Sequence, residues 1–318
     1  MNNQLVVSVS PHVNHHDSTQ SIMRDVVIAL IPALAVAVWV FGLRALLVAS
    51  VSVVSCVAFE WLFEKIAKRP NTIGDLSAVV TGLLLAYNVP VTLSLGMLII
   101  GDFVAIFIIK QLFGGIGDNI VNPAIGARIV LFLSFTTAMA TWVMPFRNTV
   151  DMVTAATPLA AYTESLAGEA VKLPTYMELF IGTIGGCLGE VSAAALLLGG
   201  IYLVIRKIIN PFVPIIFIGT VFLGTWALGF DPVYQILSGG LMLGAIFMAT
   251  DYTTTPITFV GQLIFALCCG LITVIIRVFG SYPEGVSFAL VLMNILSPLI
   301  DRATLRKPFG ALKEANIK

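Results

Sequence analysis

Three carboxylates stand where a charge is either costly or directed. Asp102 lies in the middle of the apolar run 93–110, where an acid must be protonated, paired or turned toward a wet cavity. It is therefore either an ion-route residue or a neutral acid hydrogen-bonded to a neighbouring helix. Asp75 and Glu190 each follow a glycine and open an apolar run, which places them in a first helical turn, where the macrodipole favours negative charge. There they either cap the helix, with Ser77 and Ser192 continuing the polar start, or bind and relay a cation.

Two constellations break apolar runs with residues suited to a ligand. Gly114-Gly115-Ile116-Gly117-Asp118-Asn119-Ile120-Val121-Asn122-Pro123-Ala124 leads into a run that carries Arg128. Pro123 suits a first helical turn, and the glycines let backbone approach a ligand. Ala249-Thr250-Asp251-Tyr252-Thr253-Thr254-Thr255-Pro256 is its counterpart further on. Each either surrounds an anionic or polar ring system or forms a capped re-entrant turn that serves packing alone. A third stretch, Asp151-Met152-Val153-Thr154-Ala155-Ala156-Thr157-Pro158-Leu159, sets hydroxyls before a proline. Taken bare, it reads as an ordinary turn.

The elements that position these residues follow from composition. A soluble chain of 318 residues would make roughly two domains. Here 58% of residues are hydrophobic, 11% are charged and the mean hydropathy is +1.00, too little polar surface to cover a globule in water. The chain is expected to be an all-α polytopic membrane protein. Seventeen Lys and Arg balance seventeen Asp and Glu, and all three histidines fall in the first 16 residues. Nucleic-acid binding and an intramembrane histidine centre are thereby excluded. Cys56, Cys187, Cys268 and Cys269 lie in apolar stretches without Cys-x-x-Cys spacing and read as buried thiols, with no metal expected. Residues 1–20 are polar and the first apolar run is long enough to stay in the bilayer, so no cleavable signal is expected.

A crossing needs about 20 mostly apolar residues. Runs at 26–43, 46–63, 75–90, 93–110 and 122–142 precede a polar stretch; 177–205, 211–229, 236–250, 257–276 and 286–300 follow it. This makes about ten transmembrane helices if 177–205 is one crossing interrupted at its glycines; a re-entrant segment plus a crossing is the alternative. With both termini inside, twelve Lys and Arg fall on the cytoplasmic side and four outside, with Arg128 within a run, as the retention of positive loops requires. The expected organisation is a cytoplasmic segment at 1–25, a first membrane half of five helices at 26–142 and an extracytoplasmic loop at 143–176. A second half of five helices at 177–300 and a cytoplasmic tail at 301–318 complete it.

Gly74-Asp75-Leu76-Ser77-Ala78 with Tyr87 matches Gly189-Glu190-Val191-Ser192-Ala193 with Tyr202 at a constant offset of 115, and Ile125-Gly126-Ala127 echoes Leu243-Gly244-Ala245 at 118. On the topology above, the copies are inverted, an arrangement in which broken helices build a site between two halves.

Val9-Ser10-Pro11-His12, Asp17-Ser18-Thr19, the Gly74-Asp75 segment, Asn122-Pro123-Ala124 with Arg128, Thr154 to Leu159, and Ala249-Thr250-Asp251 together resemble the RnfD family, the D-type membrane proteins of Rnf complexes. The B-type membrane proteins of sodium-pumping NADH:quinone oxidoreductases are similar more distantly. The flavinylation pattern of those families, Asp-x-x-[Ser/Thr]-[Gly/Ala]-Ala-Thr, is filled by Asp151, Thr154, Ala156 and Thr157, with Ala155 where glycine is commoner. The resemblance implies that Thr157 carries FMN through a phosphoester, attached by a flavin transferase outside the cytoplasm. It also implies a second, non-covalent riboflavin, for which Asn122, Arg128 and Asp251 are candidate surroundings. The implied protein is one component of an ion-translocating ferredoxin:NAD+ oxidoreductase in a bacterial or archaeal cytoplasmic (inner) membrane, working with the Rnf proteins of types A, B, C, E and G. It carries electrons and lines part of a Na+ or H+ route, with Asp102, Asp75 and Glu190 as candidates and no catalysis of its own. The rival is a channel or facilitator for a small polar solute, since the implied fold is urea-transporter-like; the Thr154 to Thr157 stretch discriminates.

Overall fold

The computed structural model describes residues 18–143, 145–146, 154–155, 157–166, 173–280 and 284–305. Ser18 opens α1 (Thr19–Phe41) through a reciprocal capping box with Ser21. Gly42 turns the chain, at φ 73°, into α2 (Leu43–Ala67). These two helices, with Phe259–Phe279 and Val286–Thr304 near the other end of the chain, are the four described helices long and apolar enough to cross a membrane. The protein is an all-α membrane protein, with one two-residue strand pair among the described residues.

Several runs that hydropathy suggests as uninterrupted are broken, and 177–205, expected to be interrupted at its glycines, is broken as well. Run 75–90 yields only α3 (Ser77–Tyr87): Leu76 is left-handed ahead of it, and Pro90 disfavours helix at the residue it follows. α4 (Leu95–Phe103) continues into a π-helical segment, Val104–Gln111. Run 122–142 divides into α5 (Pro123–Ser134), the single turn α6 (Thr136–Met139) and β1 (Trp142–Val143), which pairs antiparallel with β2 (Thr154–Ala155). α7 (Pro158–Leu166) follows. Run 177–205 holds α8 (Tyr176–Ile181), an irregular turn at 182–192 and α9 (Ala193–Ile205). α10 (Phe212–Ala227) is continuous. Run 236–250 is α11 (Pro232–Leu237), α12 (Leu241–Leu243) and a π-helical segment, Gly244–Met248, broken at 238–240, where Gly239 adopts φ 67°. α13 (Phe259–Phe279) and α14 (Val286–Thr304) close the fold.

Two of the short pieces lie inside. All of Gly244–Met248 is buried, as is α3 except for Val79, whereas α1, α2 and α13 present large exposed apolar side chains such as Trp39, Trp61 and Ile275. Helix ends within a bilayer leave backbone groups that lipid cannot satisfy, so broken helices must be enclosed by protein.

The two Gly-acid-x-Ser-Ala segments run antiparallel. The Gly189 amide donates to the Tyr87 carbonyl at 2.9 Å and Leu188 to Val89 at 3.2 Å, so the end of α3 meets the approach to α9. Ser77, at the start of α3, and Leu203, near the end of α9, line one cavity. α5 and the 241–248 segment are antiparallel too: Asn122 meets Asp251 at one end, and Gly240 lies against Arg128 at the other.

Candidate functional site

Thr157 ends the loop and begins a helix. Its Oγ1 accepts the Ala160 amide at 3.2 Å, which caps α7, and the side chain is buried. Among the described residues the hydroxyl serves only as an acceptor, so an ester on that oxygen removes no donated bond. Thr157 opens on a cavity of about 400 Å3 whose walls include Arg128, Phe132, Trp142, Glu284 and Phe288. A helix N-terminus, which favours phosphate, therefore adjoins a largely apolar space with aromatic walls. These are the features that a phosphate-tethered tricyclic ring needs, and the residues fit FMN. The backbone of Thr154 lies in β2, paired with Val143; its side chain, Asp151 and Ala156 lie outside the described residues.

Arg128 joins this cavity to a buried charge cluster. Six residues into α5, its Nη1 donates to Asn88 Oδ1 at 2.7 Å. Its Nη2 pairs with Glu284 and with Glu190, the latter at 3.0 Å, and lies 3.7 Å from Cys187 Sγ. The Cys187, Glu190 and Glu284 ligand atoms lie within 4.8 Å of one another, but the cation already among them is the guanidinium. Gly240 permits this approach, since a Cβ there would lie 2.7 Å from Glu190 Oε1 and 3.4 Å from Arg128 Nη1. A second arginine, Arg277, is buried and donates to the Gln235 and Ser238 carbonyls. A Cβ on Gly239 would lie 3.3 Å from its Nη2 and 4.0 Å from Glu284 Cγ, so the two arginines and two glutamates flank one stretch of backbone. A second, water-sized cavity of about 10 Å3 touches Thr157, Glu190 and Glu284.

Asn122 and Asp251 do meet. Asn122 caps α5 through its Oδ1 and donates from Nδ2 to Asp251 Oδ2 at 3.3 Å, while Asp251 accepts from the Thr253 and Thr254 hydroxyls at 3.2 Å each. Both line a cavity of about 90 Å3 at the end of the bundle where α1 begins. Arg128 belongs to the other cavity.

The remaining acids separate. Asp75 accepts from the Ser77 amide at 2.8 Å and hydroxyl at 2.5 Å, and thus caps α3. Glu190 does not cap α9, a task that Ser192 performs; its partner is Arg128. Asp102 is fully buried and accepts from three α2 side chains: Ser52 at 2.6 Å, Ser55, and the Cys56 thiol at 3.3 Å.

Several participants escape sequence reading. Lys110, 2% exposed, pairs with Glu60 at 2.6 Å and donates to Ser77 Oγ at 2.6 Å, and Gln111 donates to Glu60 at 2.7 Å. Glu64 accepts from the Thr72 amide and hydroxyl. Two acids four residues apart near the end of the 46–63 run are a usable signal for this network. Glu284 and Asn88 carry no comparable mark.

A sequence model of the NQR2, RnfD, RnfE family matches residues 6–310. The chain is 48% identical over 312 residues to the D component of the Na(+)-translocating ferredoxin:NAD(+) oxidoreductase complex of Acetobacterium woodii, covering 97% of this chain and 96% of that one. It is 43% identical to the D component of the proton-translocating ferredoxin:NAD(+) oxidoreductase complex of Clostridium ljungdahlii, with 97% of each covered. To the D component of the ion-translocating oxidoreductase complex of Alcanivorax borkumensis it is 35% identical, with 96% of this chain and 97% of the relative covered.

Proposed function

The chain belongs to the NQR2, RnfD, RnfE family, and from that premise we propose that it is the flavin-carrying membrane component of an Rnf-type complex. That complex couples electron transfer between ferredoxin and NAD+ to the movement of Na+ or H+. The observation that carries the flavin reading is Thr157, whose oxygen stands at the start of α7 and which lines the aromatic-walled cavity. FMN esterified there by a flavin transferase would supply one-electron transfer. The chain's own part is to hold it: the N-terminal end of α7 would favour the phosphate, and the apolar walls of the cavity would keep water from the ring. A solute facilitator has no use for this arrangement.

On the same reading, the chain lies in the inner membrane with both termini cytoplasmic and the Thr157 loop outside. Ten crossings form two inverted repeats, an assignment supported by the antiparallel courses of both motif pairs. Rnf proteins of types A, B, C, E and G are its partners. Asn122 and Asp251, at the opposite end from Thr157, are the residues that would hold the polar edge of a riboflavin.

Two substitutions test the flavin. In the full chain made with its flavin transferase, denatured wild type is expected to fluoresce on a gel, and Thr157→Ala to be dark. Thr157→Asn keeps a helix cap while removing the hydroxyl, so it should be dark without loss of folding. A dark wild type, or fluorescence in either variant, overturns the assignment.

For the ion route, Asp102 is the principal candidate. Ser52, Cys56, Glu60 and Glu64 recur every fourth residue on the buried face of α2, opposite Asp102 and Lys110 on the α4 and π-helical run. The Glu60 and Glu64 Oε2 atoms are buried without hydrogen-bond partners, which makes the interface an acidic polar seam. Asp75 adjoins it through Ser77, whereas Glu190 belongs to the Arg128 cluster. Asp102→Asn preserves shape, and the Ser52 and Ser55 hydroxyls can turn to suit an amide. The variant is expected to assemble, load flavin and lose ion pumping in vesicles; normal pumping removes Asp102 from the route.

A further inference from the structure

We propose that Arg128 sets the reduction potential of the flavin at Thr157, with Glu284 and Glu190 as the opposing charges. This rests on the Thr157 reading above. Among the described residues, Arg128 is the only cationic side chain on the wall of the Thr157 cavity, and it is 6% exposed. Its charge is therefore poorly screened: the medium around it is protein, where Coulomb interactions are several times stronger than in water. A flavin becomes more negative on taking an electron, so a fixed positive charge in its wall favours the reduced form and a fixed negative charge disfavours it.

The geometry holds that charge in check. Glu190 faces Nη2 at 3.0 Å from the side of the small cavity, and Glu284 pairs with the same nitrogen while lining both cavities. Asn88 fixes the other end of the guanidinium, so Arg128 cannot turn away without leaving a buried carboxylate behind. The exposed Glu164 adds a carboxylate to the cavity wall that is the same in every variant. With Arg277 beside Glu284, the four-residue cluster is formally neutral, and the potential depends on which charge stands nearer the ring. Removing one member unbalances it in a known direction.

The test is a spectroelectrochemical titration of the full chain, produced with the flavin transferase, with Thr157→Asn protein supplying the background of non-covalent flavin. Arg128→Gln should lower the midpoint potential of the covalent flavin, because two carboxylates then face one arginine. Glu284→Gln should raise it, and Arg128→Lys, which keeps the charge, should stay near wild type. Glu284 is less buried than Arg128, at 20% side-chain exposure, so Glu284→Gln still decides if Arg128→Gln fails to fold. Fluorescent protein whose midpoint is unmoved by Glu284→Gln, or moves downward, overturns this inference and leaves Thr157 standing. A wild type without covalent flavin overturns both.

Discussion

Replacing Lys110 with methionine is expected to destabilise the protein by about 3–5 kcal/mol, the usual cost of leaving one member of a buried ion pair alone. Lys110 and Glu60 are 2.6 Å apart, with side chains 2% and 0% exposed. Without the ammonium, Glu60 keeps only the Gln111 amide at 2.7 Å and a long contact from Thr72 at 3.5 Å. The loss also reaches α3, because Lys110 donates to Ser77, whose hydroxyl donates in turn to Asp75. Adding Glu60→Gln removes the stranded charge and should restore most of the stability, so the double-mutant cycle should show strong coupling. Unfolding in mixed micelles measures both. A loss below about 1 kcal/mol for Lys110→Met, against the expected range, would refute the stabilising role of this ion pair.

Gly199→Ala should be nearly as damaging, at about 3 kcal/mol, the upper end of the usual cost of overpacking. A Cβ at position 199 would collide with the Ala29 carbonyl oxygen and lie 2.9 Å from Phe247 Cζ. The ring can move, but the carbonyl belongs to the backbone of α1, so α1 and α9 must part. The same interface carries the Arg206 and Tyr202 bonds to Asp25, at 2.9 and 3.1 Å, which would stretch with it. Gly219→Ala is the control: it sits in α10 with nothing within 4 Å of its added methyl. That change should stabilise slightly, since alanine is the better helix former. Equal effects at the two sites would refute the close packing of α1 on α9.

The long outer helices are legible in the sequence because they are apolar around most of their surface, so run 26–43 answers to α1 and run 286–300 to α14. The glycines of run 177–205 mark its interruption, whereas runs 75–90, 122–142 and 236–250 are legible only as apolar. Their interruptions rest on local backbone geometry, such as the left-handed Leu76 and the turn at Ser238 to Gly240, to which a hydropathy window is blind. The same limit applies to the acids. Asp75 and Glu190 share a motif, yet one caps a helix and the other meets Arg128, because the partner comes from a distant part of the chain. Thr157 and Arg128 are readable from their neighbours in sequence. Their sharing of one cavity, and the membership of Glu284, follow from tertiary packing alone.

The meeting of α3 with the approach to α9 constrains how the protein is made. α3 has 11 residues, about 16 Å of helix at 1.5 Å per residue, roughly half of a hydrocarbon core. Such a segment cannot anchor itself as it leaves the translocation machinery, and its free end would carry bare carbonyls into lipid. The Tyr87 and Val89 carbonyls are satisfied by the amides of Gly189 and Leu188, which emerge from the ribosome about a hundred residues later. The first half must therefore wait, sheltered by α1 and α2 or by an insertion chaperone, until the second half arrives. Biogenesis of this protein is expected to be concerted across both halves, and a chain truncated ahead of Leu188 is expected to be unstable in the membrane.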